Sequence, residues 1–196
     1  LMTRATAQVL IAGPAVVARA LGGNASKEEL GGHQVHLPSG VVDNLAEDEY
    51  DAFRQIRSFL SYFPQNAWES APRDHCLDPV DRCEDSLLSL VPRDRRATFD
   101  MHDLIRAVMD QNSFFEYASS YGPSLITGYA RLNGQSVGVL ANDCRFYAGA
   151  MSADAAQKTR RFIETCDSFH IPIVTFVDEP GFMIGLEAER AGTIRY

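Results

Sequence analysis

The pair Asn133-Gly134 stands between two strand-like runs, residues 124–132 and residues 137–141. Asn-Gly readily takes the two left-handed central positions of a tight hairpin turn, so these runs are expected to pair antiparallel. Residues 152–196 narrow the architecture further. Ser152 opens a helical pattern through Ala156, Thr159, Phe162, Ile163 and Cys166 that ends near His170. Residues 171–177 are almost continuously apolar, as a strand buried on both faces requires. The turn Asp178-Glu179-Pro180-Gly181 then leads into a helix expected over 185–194. Hairpin, helix, strand, turn and helix in that order predict an α/β fold with part of a parallel or mixed sheet.

The first half carries weaker signals. Pro14 suits the first turn of a short helix holding Val16, Val17, Ala20 and Leu21, stopped at Gly22-Gly23-Asn24. Ser26 with Glu29 forms a capping box, which starts a second short helix ending at Gly31-Gly32. Residues 33–42 read as loop or short strand. Leu45, Tyr50, Phe53, Ile56, Leu60 and Phe63 form a helical apolar stripe, and the acids at its start (Glu47, Asp48, Glu49, Asp51) complement the helix dipole. Residues 64–98 hold four prolines, many charges and little periodicity, which reads as a linker. Asp100 is placed to cap a helix through Met101, Leu104, Ile105 and Val108. Asn112 or Ser113 is placed to cap a shorter one through Phe114-Phe115-Glu116-Tyr117.

Composition removes several classes of function. The chain has 196 residues, 45% hydrophobic and 22% charged, with seven Tyr and eleven Phe, which is unlike a disordered chain. A formal charge of −8 disfavours a nucleic-acid partner, which needs clustered Lys and Arg. No apolar run approaches the ~18 residues of a membrane span. Four cysteines are ordinary usage and not a disulfide framework. A soluble, cytoplasmic α/β or α+β protein of one domain, or two small ones, is the expectation. Leu1 in place of Met, and a last helix running to the final residues, suggest a fragment.

No side-chain catalytic set stands out. None of the five His has HxxxH spacing or neighbours a Gly-flanked Ser or Cys. Cys76 and Cys83 are too far apart for a usual zinc pair, even with His75 adjacent, so no metal site is expected. No Gly-rich phosphate loop is present. The turn after residue 177 remains: Pro180 fixes it and Gly181 permits positive φ or close approach of a ligand. Backbone N–H groups at such a turn can hold an anion or a developing oxyanion without a catalytic side chain. Alternatively, Gly181 only makes a tight corner.

The residues around that turn resemble a known family. Phe176-Val177-Asp178-Glu179-Pro180-Gly181-Phe182, followed by Gly185, Glu189 and Gly192-Thr193-Ile194-Arg195, is similar to the VD-x-PGF-x-x-G…GIIR segment of biotin-dependent acyl-CoA carboxylases. The resemblance is to their carboxyltransferase (β) subunit, of the propionyl-CoA carboxylase type, and it runs along the whole chain. Glu28 to Gly32 with His36 and Ser39-Gly40-Val41, then Leu60 to Pro64, Asp78-Pro79, Leu90-Val91-Pro92 and Asp100-Met101, match it in order. So do Phe114-Phe115-Glu116, Gly128 to Arg131, Asn142, Ala148-Gly149 and Arg161-Phe162 with Cys166-Asp167.

The resemblance implies a crotonase-like (ClpP/crotonase) spiral of ββα units. Residues 1–98 would be the end of an N-terminal carboxyltransferase domain plus linker, and 99–196 the start of the C-terminal one. It implies transfer of a carboxyl group from biotin, carried on a separate protein, to the α-carbon of an acyl-CoA such as propionyl- or acetyl-CoA. Backbone oxyanion holes and no catalytic side chain would serve that reaction. Expected partners are a biotin carboxylase and biotin carrier component and further copies of the carboxyltransferase subunit. The expected location is the cytoplasm, or the mitochondrial matrix in a eukaryote. The family's S-G-G-A and G-G-A segments would lie outside residues 1–196. Pro180, Gly181, Phe182 and Gly185 are the expected carboxybiotin-pocket residues, with Asn142, Ala148, Gly149 and Glu179 as further lining. A biotin-dependent decarboxylase or transcarboxylase, or a non-catalytic assembly piece, are the alternatives.

Departures from the family pattern lie close to that turn. Asn142-Asp143-Cys144 stands where Asn-Gln-Pro is common, Glu179 where Val is common, and Phe182-Met183-Ile184-Gly185 where Phe-Leu-Pro-Gly is common. An unusual acyl acceptor would fit these changes. Glu179 reads first as a surface salt-bridge partner, otherwise as a specificity residue or as neither.

Overall fold

The computed structural model describes residues 1–79, 81–94 and 96–196. Val80 and Arg95, both within the proline-rich segment 64–98, lie outside the described residues. The chain divides into two compact units, residues 1–57 with 118–121, and residues 58–117 with 122–196.

The first unit is built from short elements: β1 (Met2–Thr3), α1 (Pro14–Leu21), α2 (Lys27–Gly31), α3 (His33–His36), β2 (Leu45–Ala46) and most of α4 (Glu49–Leu60). Strand β1 pairs parallel with β2, Met2 opposite Leu45. Met2, Leu37 and Val42 form its small core. Local chemistry sets the helix ends as the sequence indicates. Pro14 occupies the first turn of α1, and Gly22, at φ 74°, ends it. At α2 the full capping box is present, the Ser26 hydroxyl accepting from the N–H of Glu29 and the Glu29 carboxylate from the N–H of Ser26. Residues 33–36 are helical rather than loop or strand, because the Gly32 carbonyl accepts from the N–H groups of Val35 and His36. The stripe on α4 begins at Glu49, since Leu45 lies in β2, and Tyr50, Phe53 and Ile56 stay exposed on this chain.

The second unit carries the sheet. Its elements are α5 (Leu87–Leu90), α6 (Met101–Val108), β3 (Phe115–Tyr117), β4 (Leu125–Leu132), β5 (Gln135–Asn142), α7 (Ala153–Ser168), β6 (Ile173–Phe176) and α8 (Leu186–Ala191). The strand order is β3-β4-β5-β6, antiparallel at the first two pairings and parallel at the last. The Asn133-Gly134 turn closes the β4–β5 hairpin with Leu132 opposite Gln135, both turn residues at positive φ. The Asp110 carboxylate accepts from both turn N–H groups, at 2.8 and 2.7 Å.

Alternation along β4 and β5 sorts two cores (period 2 of a pleated strand). Leu125, Tyr129 and Leu140 face Phe162, Cys166 and Ala155 of α7. Ile126, Ala130, Val137, Val139 and Ala141 face Met101 and Ile105 of α6. Both faces are covered, so β4 and β5 are buried along almost their whole length. Gly138 lets α7 approach closely: a Cβ there would stand 2.8 Å from Cys166 Sγ. Burying a side chain the size of Phe162 contributes about 2–3 kcal/mol.

Three expectations are corrected here. Residues 115–117 form strand β3, not a capped helix. Phe115 pairs with Tyr129, and the Ser113 hydroxyl donates to the Asp110 carbonyl instead of capping. The apolar run at 171–177 yields a strand only at Ile173–Phe176, at the sheet edge and half-buried, because it pairs only with β5. The final helix is shorter than 185–194: α8 ends at Ala191, where Gly192 turns left-handed at φ 72°.

Candidate functional site

Strand β5 ends in Asn142, which is 4% exposed and ties three segments together. Its amide nitrogen donates to the Gly149 carbonyl at 3.3 Å, and its amide oxygen accepts the N–H of Asp178 at 3.2 Å. Residues 146–149 form a tight left-handed turn, with Tyr147, Ala148 and Gly149 at φ 52°, 53° and 80°. For Tyr and Ala that conformation costs of order 1 kcal/mol each, so the surroundings must hold it. Gly149 is required by close approach as well: a Cβ there would meet the Asp178 carbonyl at 2.4 Å.

The second partner is the turn after β6. Met151 pairs with it as an isolated parallel bridge, its N–H donating to the Gly181 carbonyl and its carbonyl accepting from Met183. Gly181 has φ 126° and Gly185 φ 106°, and nothing lies within 4 Å of where a Cβ on either would stand. Among the described residues, no hydrogen bond is made by the N–H groups of Gly181 and Phe182. Pro180 has no N–H to offer. Phe182 is 58% exposed, and Gly185 opens α8. The structure therefore brings Asn142, Gly149, Pro180, Gly181 and Phe182 together. Ala148 is exposed on the 146–149 turn, and Gly185 stands further along the chain. Glu179 is exposed and makes no ion pair among the described residues.

Two parts of this arrangement carry no sequence spacing to reveal them. Met151 acts through its backbone alone. The other part is a run of charged groups beside Asn142. Asp143, 1% exposed, accepts from Arg145 Nε at 2.9 Å and Nη2 at 2.7 Å. Arg145 Nη1 reaches Asp100 at 2.7 Å, at the N-cap of α6. His102 Nδ1 lies 2.8 Å from Asp100, and its Nε2 lies 3.2 Å from Glu116 on β3. The hydrogen bond to Glu116 lifts the His102 imidazole above its ordinary range, against the effect of burial, and Asp100 adds to the lift. The Asp143 and Asp100 carboxylates likewise hold the Arg145 guanidinium firmly protonated.

The mixed sheet with helices on both faces is that of a crotonase-like fold, and after its last strand the N–H groups of Gly181 and Phe182 have no partner among the described residues. The chain belongs to the carboxyl transferase domain family, whose model matches residues 1–196. It is 40% identical over its whole length to the carboxyltransferase subunit of propionyl-CoA carboxylase from Haloferax mediterranei, covering 38% of that protein. It is 41% identical to the methylmalonyl-CoA decarboxylase subunit alpha of Veillonella parvula, again over the whole chain and 38% of the relative. The transcarboxylase 12S hexamer crystal structure, with hydrolysed methylmalonyl-coenzyme A bound, superimposes with a TM-score of 0.93 at 35% identity. That match covers 99% of this chain and 38% of the transcarboxylase chain. The chain thus spans under two-fifths of the length of these relatives.

Proposed function

We propose that this chain is part of the carboxyltransferase component of a biotin-dependent acyl-CoA carboxylase. In that reading it helps transfer a carboxyl group from a ureido nitrogen of carboxybiotin to the α-carbon of a propionyl- or acetyl-CoA-like thioester, the α-proton going to the ureido nitrogen that the carboxyl group leaves. Residues 1–98 belong to the N-terminal carboxyltransferase domain and its linker, and 99–196 to the C-terminal domain. The observation that carries the reading is the 178–182 turn, with unpaired N–H groups at Gly181 and Phe182 and open space over Gly181.

That geometry fits the ureido group of biotin, a small planar acceptor that needs donors and room rather than a charged side chain. Carboxybiotin, bound on its separate carrier protein, would supply an activated carboxyl group on a ureido nitrogen. The chain's own part is to hold. Gly181 and Phe182 donate N–H groups toward the ureido oxygen, where negative charge grows as the carboxyl group departs. A preorganised donor of this kind is worth ~3 kcal/mol of barrier. Asn142 fixes the turn from behind. The acyl-CoA is substrate, with its thioester held by other parts of the subunit.

Several features support the rest of the reading. Oligomerisation of the carboxyltransferase subunit is supported by the hexameric transcarboxylase relative. Among the described residues no helix is long and apolar enough to cross a membrane. The proposed location is the cytoplasm, or the mitochondrial matrix in a eukaryote; the human propionyl-CoA carboxylase beta chain, 37% identical, is named as mitochondrial. The test is to mix the full-length subunit with biotinylated carrier and a panel of acyl-CoA esters and follow carboxyl transfer. Absence of transfer with every ester overturns the reading. A second reading, decarboxylase or transcarboxylase subunit, is favoured by the names of two similar proteins. It is distinguished by supplying a carboxylated acyl-CoA and following carboxyl transfer back to the carrier.

A further inference from the structure

We propose that Arg145 is a positioning residue for carboxyl transfer: by joining Asp143 to Asp100 it clamps the 143–151 strap that holds the Asp178–Phe182 turn. The inference rests on the function proposed above and adds to it a residue that touches neither substrate.

The strap's own backbone bonds, from the N–H of Phe146 to the Asp143 carbonyl, of Gly149 to Phe146 and of Ala150 to Tyr147, close its turns but do not fasten it to the rest of the fold. Residues 145–148 are exposed, and three consecutive residues there, 147–149, are left-handed. A strained, exposed segment keeps one conformation only when fixed at both ends. At its far end, Met151 pairs with Gly181 and Met183, and Gly149 sits under the Asn142 amide. At its near end, the Asp143 N–H donates to the Ser124 carbonyl, and the Asp143 carboxylate also accepts the backbone N–H of Arg145. An Arg145–Asp143 pair alone would be local and would fasten the strap only to itself. The bond from Arg145 Nη1 to Asp100 changes that, because Asp100 caps α6 through the N–H of His102. The strap is thereby fastened to a helix whose Met101 and Ile105 lie in the core. A weaker tether runs parallel to it, Cys144 Sγ meeting the Phe99 backbone at 3.5 Å.

With His102 protonated, Glu116, His102, Asp100, Arg145 and Asp143 alternate negative and positive, with one like-charged approach, Arg145 Nη2 at 3.1 Å from His102 Nδ1. Both His102 nitrogens then donate, one to Asp100 and one to Glu116. Arg145 bonds two carboxylates at once, a charge-assisted geometry that Lys cannot fully reproduce. Loosening it leaves the buried Asp143 carboxylate without its counter-ion and frees the strap one residue from Asn142. Asn142 in turn sets the Asp178 N–H, and with it the turn whose donors must meet a reacting oxygen. Displacements of the order of 1 Å at such donors cost large factors in rate.

The experiment uses the full-length subunit with biotinylated carrier. Arg145→Gln, Arg145→Lys and, as control, Arg106→Gln are compared; Arg106 makes an exposed pair with Asp103. Arg145→Gln is expected to lower kcat about tenfold while KM for the acyl-CoA stays within about twofold. Arg145→Lys recovers part of the loss, and Arg106→Gln changes neither constant. Amide hydrogen exchange is measured on the same proteins. Arg145→Gln is expected to accelerate exchange at Asp178 and Gly149 about tenfold, with β4 and β5 amides unchanged. An unchanged kcat, or a loss matched by faster exchange throughout β4 and β5, overturns the inference. If the wild-type subunit transfers no carboxyl group, the proposed function fails, and the local exchange result alone decides whether Arg145 clamps the turn.

Discussion

Asn142 holds Asp178: the amide oxygen of one accepts the backbone N–H of the other at 3.2 Å, across 36 residues of chain. The same side chain donates to Gly149, so a single buried amide registers the end of β5, the 146–149 turn and the turn after β6. Each of these bonds is modest by itself. Their value lies in being made around a buried side chain, where an unpaired polar group is costly.

Asn142→Ala removes both bonds and leaves the Asp178 N–H and the Gly149 carbonyl without their partner. A loss of about 1–3 kcal/mol of unfolding free energy is expected, from the cost of unsatisfied buried groups. Urea denaturation of the full-length protein measures it. Asn142→Asp keeps the acceptor for Asp178 but loses the donor to Gly149, so its loss should be smaller unless the buried charge adds its own cost. An Asn142→Ala protein as stable as the wild type would mean that this amide does not hold the site.

Gly149 and Gly181 are both at positive φ, yet they should respond differently to alanine. At Gly181 a Cβ meets open space, so Gly181→Ala pays only for the backbone conformation at φ 126°, of order 1–3 kcal/mol. At Gly149 a Cβ would lie 2.4 Å from the Asp178 carbonyl, so Gly149→Ala must also push the turn away. Thermal unfolding should rank Gly149→Ala as the less stable. A bulkier residue, Gly181→Val, fills the space over the turn and should abolish carboxyl transfer by the full-length subunit while leaving its oligomer intact. Retained transfer in Gly181→Val would mean that no reacting group enters there.

The frame of the second unit was legible in the sequence because its determinants are local. Asn133-Gly134 dictates a hairpin, Ser152 caps α7, Asp100 caps α6, and Pro180-Gly181 marks the turn. Phe114 to Tyr117 misleads because its helical spacing loses to pairing with β4, a tertiary effect that local signals cannot report. The apolar run at 171–177 misleads for the opposite reason: hydrophobicity speaks of burial in a whole protein, and the strand here has one neighbour. At the site, the glycines could be found from their turn, and Asn142 from the family pattern. The link through Arg145 could not be found, since Asp100 and Asp143 are 43 residues apart and ordinary in type.

His102 gives the charged run a pH dependence with a definite sign. The groups facing it are Asp100 on its own helix, Glu116 on β3, Arg145 on the strap, and the Phe114 ring. Two carboxylates outweigh one guanidinium, and the folded-state value lies above the unfolded 6.5. Stabilisation from the charged imidazole is therefore complete below pH 6.5 and is lost as pH rises through the folded value. The difference in unfolding free energy between wild type and His102→Gln should shrink over that rise. A difference that is flat with pH, or that grows, would rule out the protonated bridge.

Cys166 tests the packing of α7 on the sheet. It is fully buried beneath Gly138, and burial pushes its thiol up to about 12. At about pH 8 the thiolate fraction is then only about one part in ten thousand, and the reagent also has no path to it. Cys83 is exposed, so iodoacetamide should modify Cys83 first in the native protein. Cys166 should react only as urea unfolds the chain, its rate following the unfolded population. Mass spectrometry of timed digests separates the sites. Alkylation of Cys166 in the native protein at a rate like that of Cys83 would mean that α7 lifts from β5 in solution. Gly138, whose missing side chain makes room for that contact, would then have lost its role.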